Sequence, residues 1–242
     1  MIDVVKFLQK IKSWIFSIRE KWVLLFINEP DPGSSEWLIR TEIKYGGIVC
    51  GVSRTKVSSC DPRDRKSIKR GGMEGGDRML HHGYAEKYAQ FLRTLVQNTK
   101  PITLVEVGIL MGTGLAIWCD LFPDGRILGF DIDLSHFHRN FDSLVKKGAF
   151  IENQPELYEF DQLANNKEYL NSILLGDEVD ICIDDGLHSD EAILNTFENL
   201  EPFLSDNFVY FIEDNPEVHN KVSIMYPELL IKTAGELTIV YK

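Results

Sequence analysis

The chain has 242 residues, 44% of them hydrophobic and 26% charged, which is the composition of a globular protein with one sizeable core. Its 26 basic and 37 acidic residues give a formal net charge of -11. That balance argues against a general nucleic-acid-binding protein, because binding to phosphates favours clustered Lys and Arg.

Residues 2–27 carry apolar side chains at a three-to-four spacing, which predicts an amphipathic helix. The spaced residues are Val4, Leu8, Ile11, Ile15, Ile18, Trp22 and Leu25. Such a stripe usually packs on its own domain or on a second copy of the chain, so a core or homo-oligomer contact is the main interpretation. Five basic residues and two tryptophans in the same segment leave peripheral membrane contact open as the alternative.

The chain contains four cysteines and no C-x-x-C pair, which is typical of buried thiols in a reducing compartment. The apolar run from Trp22 to Ile27 is too short to span a bilayer, and no small-residue cleavage site follows it. We therefore expect a cytoplasmic protein, with peripheral membrane association left open.

Residues 28–35 (NEPDPGSS) form a turn that ends this helix, because Pro30 and Pro32 cannot continue it. From Tyr45 to Gly76 the chain is basic and shows no sustained period, apart from a short predicted strand at 47–52. A solvated loop is the first interpretation, and a mobile lid that recognises an anionic substrate is the alternative. We predict an N-terminal extension over residues 1–76 and a main domain over residues 77–242.

From Tyr84 onward, helical and strand-like segments alternate, which predicts an α/β fold with a parallel sheet covered on both faces. The predicted strands are 103–107, 126–131, 149–153, 179–183, 208–212, 229–233 and 237–241. The predicted helices are 84–97, 114–121, 134–147, 165–174 and 190–203. Only residues 234–236 join the last two strands, so the final strand must be antiparallel. The prediction is a Rossmann-like, seven-stranded sheet that matches the class I methyltransferase arrangement.

The segment Leu104–Gly114 (LVEVGILMGTG) has the form of an apolar strand followed by a glycine-bearing turn and the start of a helix. Gly108 lets the strand turn sharply, and Gly112 and Gly114 let the backbone approach a ligand. The next strand ends in Asp131, where an acidic residue can bind both hydroxyls of a ribose. This pair of elements predicts a nucleotide-like cofactor, although glycines that only punctuate a turn are the simpler alternative.

The glycine spacing is not G-x-G-x-x-G, so the fingerprint that cradles a pyrophosphate is absent. Glu106, just before the turn, suits a cationic cofactor without phosphate, such as a sulfonium. S-adenosylmethionine is therefore the predicted cofactor, ahead of a dinucleotide.

Acidic residues end two further strands, at Asp184 and Asp185 and again at Glu213 and Asp214. Adjacent parallel strands bring both ends to one edge of the sheet, where open α/β sheets bind ligands. Crowded carboxylates repel one another, and Mg²⁺ is the usual remedy. His188 lies three residues after Asp185 and can accept a proton near neutral pH. Solvated acids at strand ends are the alternative.

At this point the sequence resembles the macrocin and mycinamicin type of sugar O-methyltransferase, a metal-dependent branch of the class I methyltransferases with relatives described as cephalosporin hydroxylases. The resemblance covers about Gly75 to Asp214. Its markers in order are Asp77-Arg78, His82-Gly83-Tyr84 with Tyr88, EVGILMGTG, GFDID, Phe160-Asp161-Gln162, DDGLH and IED.

The resemblance implies a role for each group of residues. Asp185, Glu213 and Asp214 would hold Mg²⁺, with Asp185 and His188 catalytic and His188 the general base. Asp77, His82 and Tyr84 would line or cover the substrate site, and Asp184 would either contact the substrate or support the residues that do. The cofactor residues would be Glu106, Gly108, Gly112, Gly114, Asp131, Asp133 and Asp161, the last near the adenine.

Three departures from the family pattern affect the substrate side. Arg78 stands where Lys is usual, Leu187 stands where a small residue is usual, and the loop after Asp214 is short. The short loop predicts a more open acceptor pocket, which a second subunit could complete. The N-terminal 70 or so residues have no clear counterpart, so the amphipathic helix and the basic loop are specific to this protein or its close relatives.

The leading hypothesis is an Mg²⁺-dependent O-methyltransferase that moves the methyl group of S-adenosylmethionine by in-line displacement to a sugar hydroxyl of a glycoside, polysaccharide or natural product. The alternatives are a hydroxylase-like or other metal enzyme on the same fold, and a non-catalytic cofactor-binding subunit.

Overall fold

The computed structural model describes residues 4–27, 29–64, 72–97 and 100–242. The strands are β1 (Val49–Ser53), β2 (Gly72–Gly75), β3 (Thr103–Val107), β4 (Arg126–Asp131), β5 (Glu156–Glu159), β6 (Val179–Asp184), β7 (Leu204–Ile212), β8 (Leu230–Ala234) and β9 (Leu237–Tyr241). The helices are α1 (Val4–Leu24), α2 (Ser35–Tyr45), α3 (Ala85–Val96), α4 (Thr113–Leu121), α5 (Ser135–Lys146), α6 (Lys167–Leu174), α7 (Asp190–Leu200) and α8 (Val218–Met225), with a 3-10 turn at Glu201–Phe203.

Strands β3 to β9 form one sheet in the order β5-β4-β3-β6-β7-β9-β8. The strands from β5 to β7 pair in parallel, whereas β9 is antiparallel to both of its neighbours. Strand β3 is buried along its whole length, because apolar clusters cover both faces of the sheet. The predicted Rossmann-like sheet with its antiparallel final strand is confirmed.

The connections reverse direction at β3, since β4 lies on one side of it and β6 on the other. Such a switch point opens a crevice at the carboxyl ends of the strands. The ends of β3, β4, β6 and β7 carry the predicted cofactor and metal residues, so the topology brings them to the same edge.

The predicted strand at 149–153 is wrong. Gly148 has a φ of +88° and Ala149 N donates to Leu144 O at 3.0 Å, which is how a helix C-terminus closes. Phe150 then stacks on Phe141 with ring centroids 5.7 Å apart. The apolar run therefore caps α5, and the strand begins only at residue 156.

Helix α2 and strand β2 were not predicted. Ser34 caps α2 by accepting a hydrogen bond from Trp37 N at 3.2 Å. Leu38 and Tyr45 on this helix are fully buried in the core cluster on one face of the sheet. Residues 35–45 thus pack as part of the main domain, and the predicted boundary at residue 76 does not separate them from it.

A buried carboxylate ties α2 to the turn that follows β2. Glu42 is 1% exposed and accepts hydrogen bonds from the backbone N–H groups of Met79 at 2.9 Å and Leu80 at 3.2 Å. Burial raises the pKa of Glu42 to about 8. This contact fixes the backbone on either side of Met79, and Arg78 is held in place by it.

The predicted amphipathic helix is observed as α1, with residues 2 and 3 outside the described residues. No helix in the described part of the chain is both long enough and apolar enough to cross a bilayer. Of the basic segment, Arg54, Lys56 and Arg63 are described, whereas Arg65, Lys66, Lys69 and Arg70 lie outside the described residues.

Candidate active site

Beside a pocket of about 550 Å³ with which it shares Ile132, Phe160 and Asp161, a cavity of about 450 Å³ opens at the carboxyl edge of the sheet. Its size falls within the range of roughly 300–1,000 Å³ that is usual for small-molecule sites. The predicted site residues that line it are Asp77, His82, Glu106, Gly108, Gly114, Asp131, Asp133, Asp161, Asp185, His188, Glu213 and Asp214. The cofactor residues and the acidic cluster therefore share one space.

The turn after β3 and the end of β4 form one half of the cavity. Gly108 has a φ of +88°, and a Cβ there would collide with the carbonyl oxygen of Asp185. Asp131 accepts hydrogen bonds from Leu110 N at 3.0 Å and Asp133 N at 2.9 Å, which fix its carboxylate in position. Each carboxylate oxygen can still accept a further hydrogen bond from a ligand. This half fits a ligand with vicinal hydroxyl groups.

Packing gives a further reason for each of the other two glycines of the turn. A Cβ on Gly112 would collide with the Phe137 ring, and one on Gly114 would collide with the Glu106 carboxylate. Gly112 is not among the lining residues. Glu106 is 1% exposed and accepts from Trp118 Nε1 at 3.1 Å. These glycines thus serve helix packing and the placement of Glu106.

Residues 54–64 lie across the cofactor half, which corrects the interpretation of this segment as a solvated loop. Ser58 Oγ donates to both carboxylate oxygens of Asp161 at 2.6 and 2.7 Å. The Lys56 backbone N–H donates to Asp133 at 3.1 Å, and its ammonium pairs with Glu159. Arg54, Ser58 and Asp61 line the cavity, so the N-terminal part of the chain forms one of its walls.

The acidic half is organised around Arg78, whose side chain is 7% exposed. Its guanidinium lies 2.8 Å from Glu106, 3.0 Å from Asp185 and 2.7 Å from Glu213. The carboxylates therefore come from three neighbouring strand ends of the sheet. Tyr88 OH also donates to Glu213.

One guanidinium does not balance three carboxylates. Burial raises the pKa of Asp185 to about 8 against the opposing effect of Arg78, and the charge of Asp214 raises it further. Burial likewise raises the pKa of Glu213 to about 8. Burial alone would lower the pKa of Arg78, but Glu213 and Glu106 hold it well above its ordinary value. The cluster therefore favours the binding of a further cation.

Asp214 and His188 face each other across the mouth of the cavity with unusual backbone angles. Their φ values are +57° and +55°, a left-handed conformation that costs non-glycine residues energy and is enriched at functional sites. Asp214 accepts from Tyr84 OH at 2.9 Å and lies 3.3 Å from His82 Nδ1. The His188 ring lies 3.9 Å from Asp185, and its Nδ1 is buried without a hydrogen-bond partner.

The side chain of Asp184 does not face the cavity, so it is not placed to contact a substrate there. It is 1% exposed, it does not line the cavity, and it accepts from Gln162 Nε2 at 2.8 Å. Successive strand residues point to opposite faces, so Asp184 turns away from the cavity while Asp185 turns toward it. Tyr84 also lies outside the lining and acts through its bond to Asp214.

Two groups of side chains in the described part of the chain have the spacing of metal ligands. In the first, one atom each from Asp185, His188 and Asp214 lie within 4.8 Å of one another. The second combines Asp214 with His82 and Glu236. The second is the poorer site, because the Asp77 carboxylate raises the pKa of His82 to about 9 and a protonated imidazole cannot bind a metal.

Sequence reasoning missed several residues of the site. Arg78 and Tyr88 belong to the family markers, and their spacing of 10 residues gave no sign that both reach Glu213. Glu42 and Ser58 lie in segments without a periodic pattern. No sequence signal assigned them to the site.

No protein-family model and no curated protein sequence matches the chain. Among solved structures, the fold is similar to that of the MycE methyltransferase from the mycinamycin biosynthetic pathway in complex with Mg, SAH and mycinamycin VI. The TM-score is 0.52 at 22% identity, over 67% of this chain and 50% of MycE. The chain thus spans about half the length of MycE.

A putative O-methyltransferase from Klebsiella pneumoniae is similar over 94% of this chain and 97% of its own, with a TM-score of 0.51 and 16% identity. These likenesses, together with the strand order, show that the chain has the class I S-adenosylmethionine-dependent methyltransferase fold.

Replacing Arg78 tests the buried charge cluster. Arg78→Met leaves the buried Glu106 and Glu213 and the partly buried Asp185 without their cation, and we expect it to lower the free energy of unfolding by about 3–5 kcal/mol. Lys167→Met, which removes an exposed ion pair with Glu198, should cost at most about 1 kcal/mol. Urea unfolding of both variants measures the difference, and equal stability of the two would contradict the cluster's role.

The pH dependence of stability tests the surroundings of His82. Its folded-state pKa of about 9 lies above the ordinary value of 6.5. Its contribution is therefore complete below about pH 6.5 and is lost as the pH rises through about 9. Without added divalent cations, the stability advantage of the parent over His82→Gln should shrink across that range. An imidazole NMR titration midpoint for His82 at or below 6.5 would refute this.

Proposed function

We propose that the protein is an S-adenosylmethionine-dependent O-methyltransferase that uses Mg²⁺ and a sugar hydroxyl as acceptor. The observation that carries the proposal is that one cavity joins the turn after β3 to an acidic cluster in which a buried guanidinium is outnumbered by carboxylates. A nucleoside fits the first half, and cationic groups fit the second.

The cofactor's nucleoside would lie against Gly108 and Asp131, with the two ribose hydroxyls donating to the Asp131 carboxylate. Asp161 and Ser58 would face the base, since they close the same end of the cavity. Glu106 would act at longer range: its carboxylate is paired with Arg78 and adds negative potential where a sulfonium binds. When bound, S-adenosylmethionine supplies an electrophilic methyl group.

The donor set fits Mg²⁺ at Asp185 and Asp214, since both carboxylates line the cavity and lie in one group of closely spaced ligand atoms. Glu213, the third predicted ligand, is held by Arg78 and Tyr88 and would have to share its carboxylate with the ion. Mg²⁺ prefers oxygen ligands and keeps water or substrate oxygens in its remaining positions. It would lower the pKa of a coordinated hydroxyl.

His188 would accept the proton of the acceptor hydroxyl. Because Mg²⁺ favours oxygen over nitrogen ligands, the imidazole would remain available as a base. Its buried, unpaired Nδ1 and its position 3.9 Å from Asp185 leave the ring free to bond a substrate. The left-handed backbone at His188 is consistent with a side chain held for function.

A sugar acceptor is supported by the polar character of the cavity mouth. Asp77, protonated His82 and Asp214 form a chain of ion pairs there, which offers both donors and acceptors to adjacent hydroxyl groups. MycE, which shares the fold, has been crystallised with a mycinamycin. The identity of the sugar is left to product analysis.

Calorimetric titration with S-adenosylmethionine tests the cofactor half of the proposal, and we expect one site per chain. With a panel of glycosides as acceptors, product mass should rise by one methylene unit, and EDTA should abolish transfer without abolishing cofactor binding. Absence of binding would overturn the cofactor assignment. Unchanged turnover in EDTA would overturn the metal assignment.

Two adjacent aspartates give a matched pair of variants. Asp185→Asn should lower kcat by at least about 100-fold, because it removes both a metal ligand and the partner of Arg78. Asp184→Asn, one residue away but facing the opposite side of the sheet, should change stability while leaving kcat within about threefold. Equal loss of kcat in both variants would show that the effect is structural.

A further inference from the structure

Helix α1 rests on the domain through one face only. The Phe16 ring packs edge-on against His81 with centroids 4.4 Å apart, and Glu20 accepts from the Ile48 backbone N–H at 3.1 Å. Glu20 also lies 3.1 Å from His81 Nε2. These contacts, with the half-buried Val23, define the inner face of the helix.

The opposite face is apolar and exposed along most of the helix and the two residues beyond it. Trp14 is 66% exposed, Trp22 is 62% exposed and Phe26 is 78% exposed. The exposed apolar residues are Leu8, Ile11, Trp14, Ile15, Trp22, Leu25 and Phe26. At 3.6 residues per turn they fall within an arc of about 120°, centred opposite Phe16 and Glu20. Isolated exposed apolar residues are ordinary, but a continuous stripe of this size indicates a partner.

Basic side chains border the stripe on both sides. Lys10 and Lys21 lie along one edge, and Lys12 and Arg19 lie along the other. Residues 4–27 carry five basic side chains and one acidic, which is the inward-facing Glu20, whereas the rest of the chain carries 21 basic and 36 acidic. Positive charge is therefore concentrated beside the exposed apolar face of an acidic protein.

We propose that this face of α1 docks the protein on an anionic lipid surface. A helix that lies in a membrane interface buries an apolar face and places Lys and Arg at the level of the headgroups, with tryptophan at the boundary. The residues on α1 have this arrangement. Basic side chains near an anionic bilayer are attracted to its surface.

A second copy of the chain is a poorer occupant. Helix pairs are selected by opposite charges beside the apolar seam, and like charges there repel. Both edges of this stripe are basic, so two copies would bring Lys and Arg together in either orientation. A bilayer with anionic headgroups suits Lys10 and Lys21 on the free edge, whereas on the other edge Lys12 pairs with Glu74 and Arg19 donates to Leu80 O at 3.4 Å.

The docking face lies beside the cavity. Lys12 pairs with Glu74 at 2.8 Å, and Glu74 on β2 lines the cavity together with Met73 and Gly75. Docking would therefore bring this wall of the cavity near the headgroups.

The test is co-sedimentation of the full chain with vesicles of phosphatidylcholine alone or mixed with about one third phosphatidylglycerol. We expect binding to the mixed vesicles at least tenfold tighter than to the neutral ones, and weaker in high salt. Ile15→Glu and Trp22→Glu should each lower binding at least tenfold. Ile224→Glu, at an 80% exposed isoleucine on α8, is the matched control and should bind like the parent.

Thermal unfolding checks that each variant is folded. All three single substitutions are at exposed positions, so Tm should stay within a few degrees of the parent. Lys10→Glu combined with Lys21→Glu should abolish the preference for anionic vesicles. The proposal is overturned if the parent fails to bind mixed vesicles or if Ile15→Glu binds like Ile224→Glu. It is also overturned if light scattering without lipid shows a dimer that Ile15→Glu dissociates.

Discussion

The site depends on the burial of one guanidinium among three carboxylates. Arg78 joins the ends of three strands through Glu106, Asp185 and Glu213, and none of these groups is stable there alone. Neighbouring elements of the fold hold the residues of this cluster in position. Glu42 on α2 fixes the turn that carries Arg78, and the glycines after β3 leave room for the carboxylates and for the approach of β6. The excess of negative charge that remains is what makes the cavity receptive to cations.

This arrangement links the two halves of the proposed chemistry. Glu106 belongs to the cofactor turn, whereas Asp185 and Glu213 belong to the candidate metal site, and Arg78 bonds to all of them. A change of charge at one end of the cavity therefore alters the electrostatic potential at the other end. A cation bound at one end would neutralise part of the shared negative charge and so change the affinity of the other end for its own cation.

Much of the fold could be predicted from the sequence, because buried parallel strands are continuous apolar runs and the connection at 234–236 permits only a hairpin. The strand predicted at 149–153 was wrong because an apolar run that caps a helix has the same composition as a short strand. The prediction that Asp131, Asp185 and Asp214 lie at one edge of the sheet, made from the ends of the predicted strands, agrees with the structure. Contacts between distant segments, such as Ser58 with Asp161, leave no periodic trace and could not be predicted.

The most direct measurement is an anomalous-difference map from a crystal of the full chain grown with Mn²⁺, as a substitute for Mg²⁺, and S-adenosylhomocysteine. The account predicts one strong peak between the carboxylates of Asp185 and Asp214, with the ribose on Asp131 and the thioether sulfur facing the same space. A peak elsewhere, or a nucleoside bound outside this cavity, would contradict it.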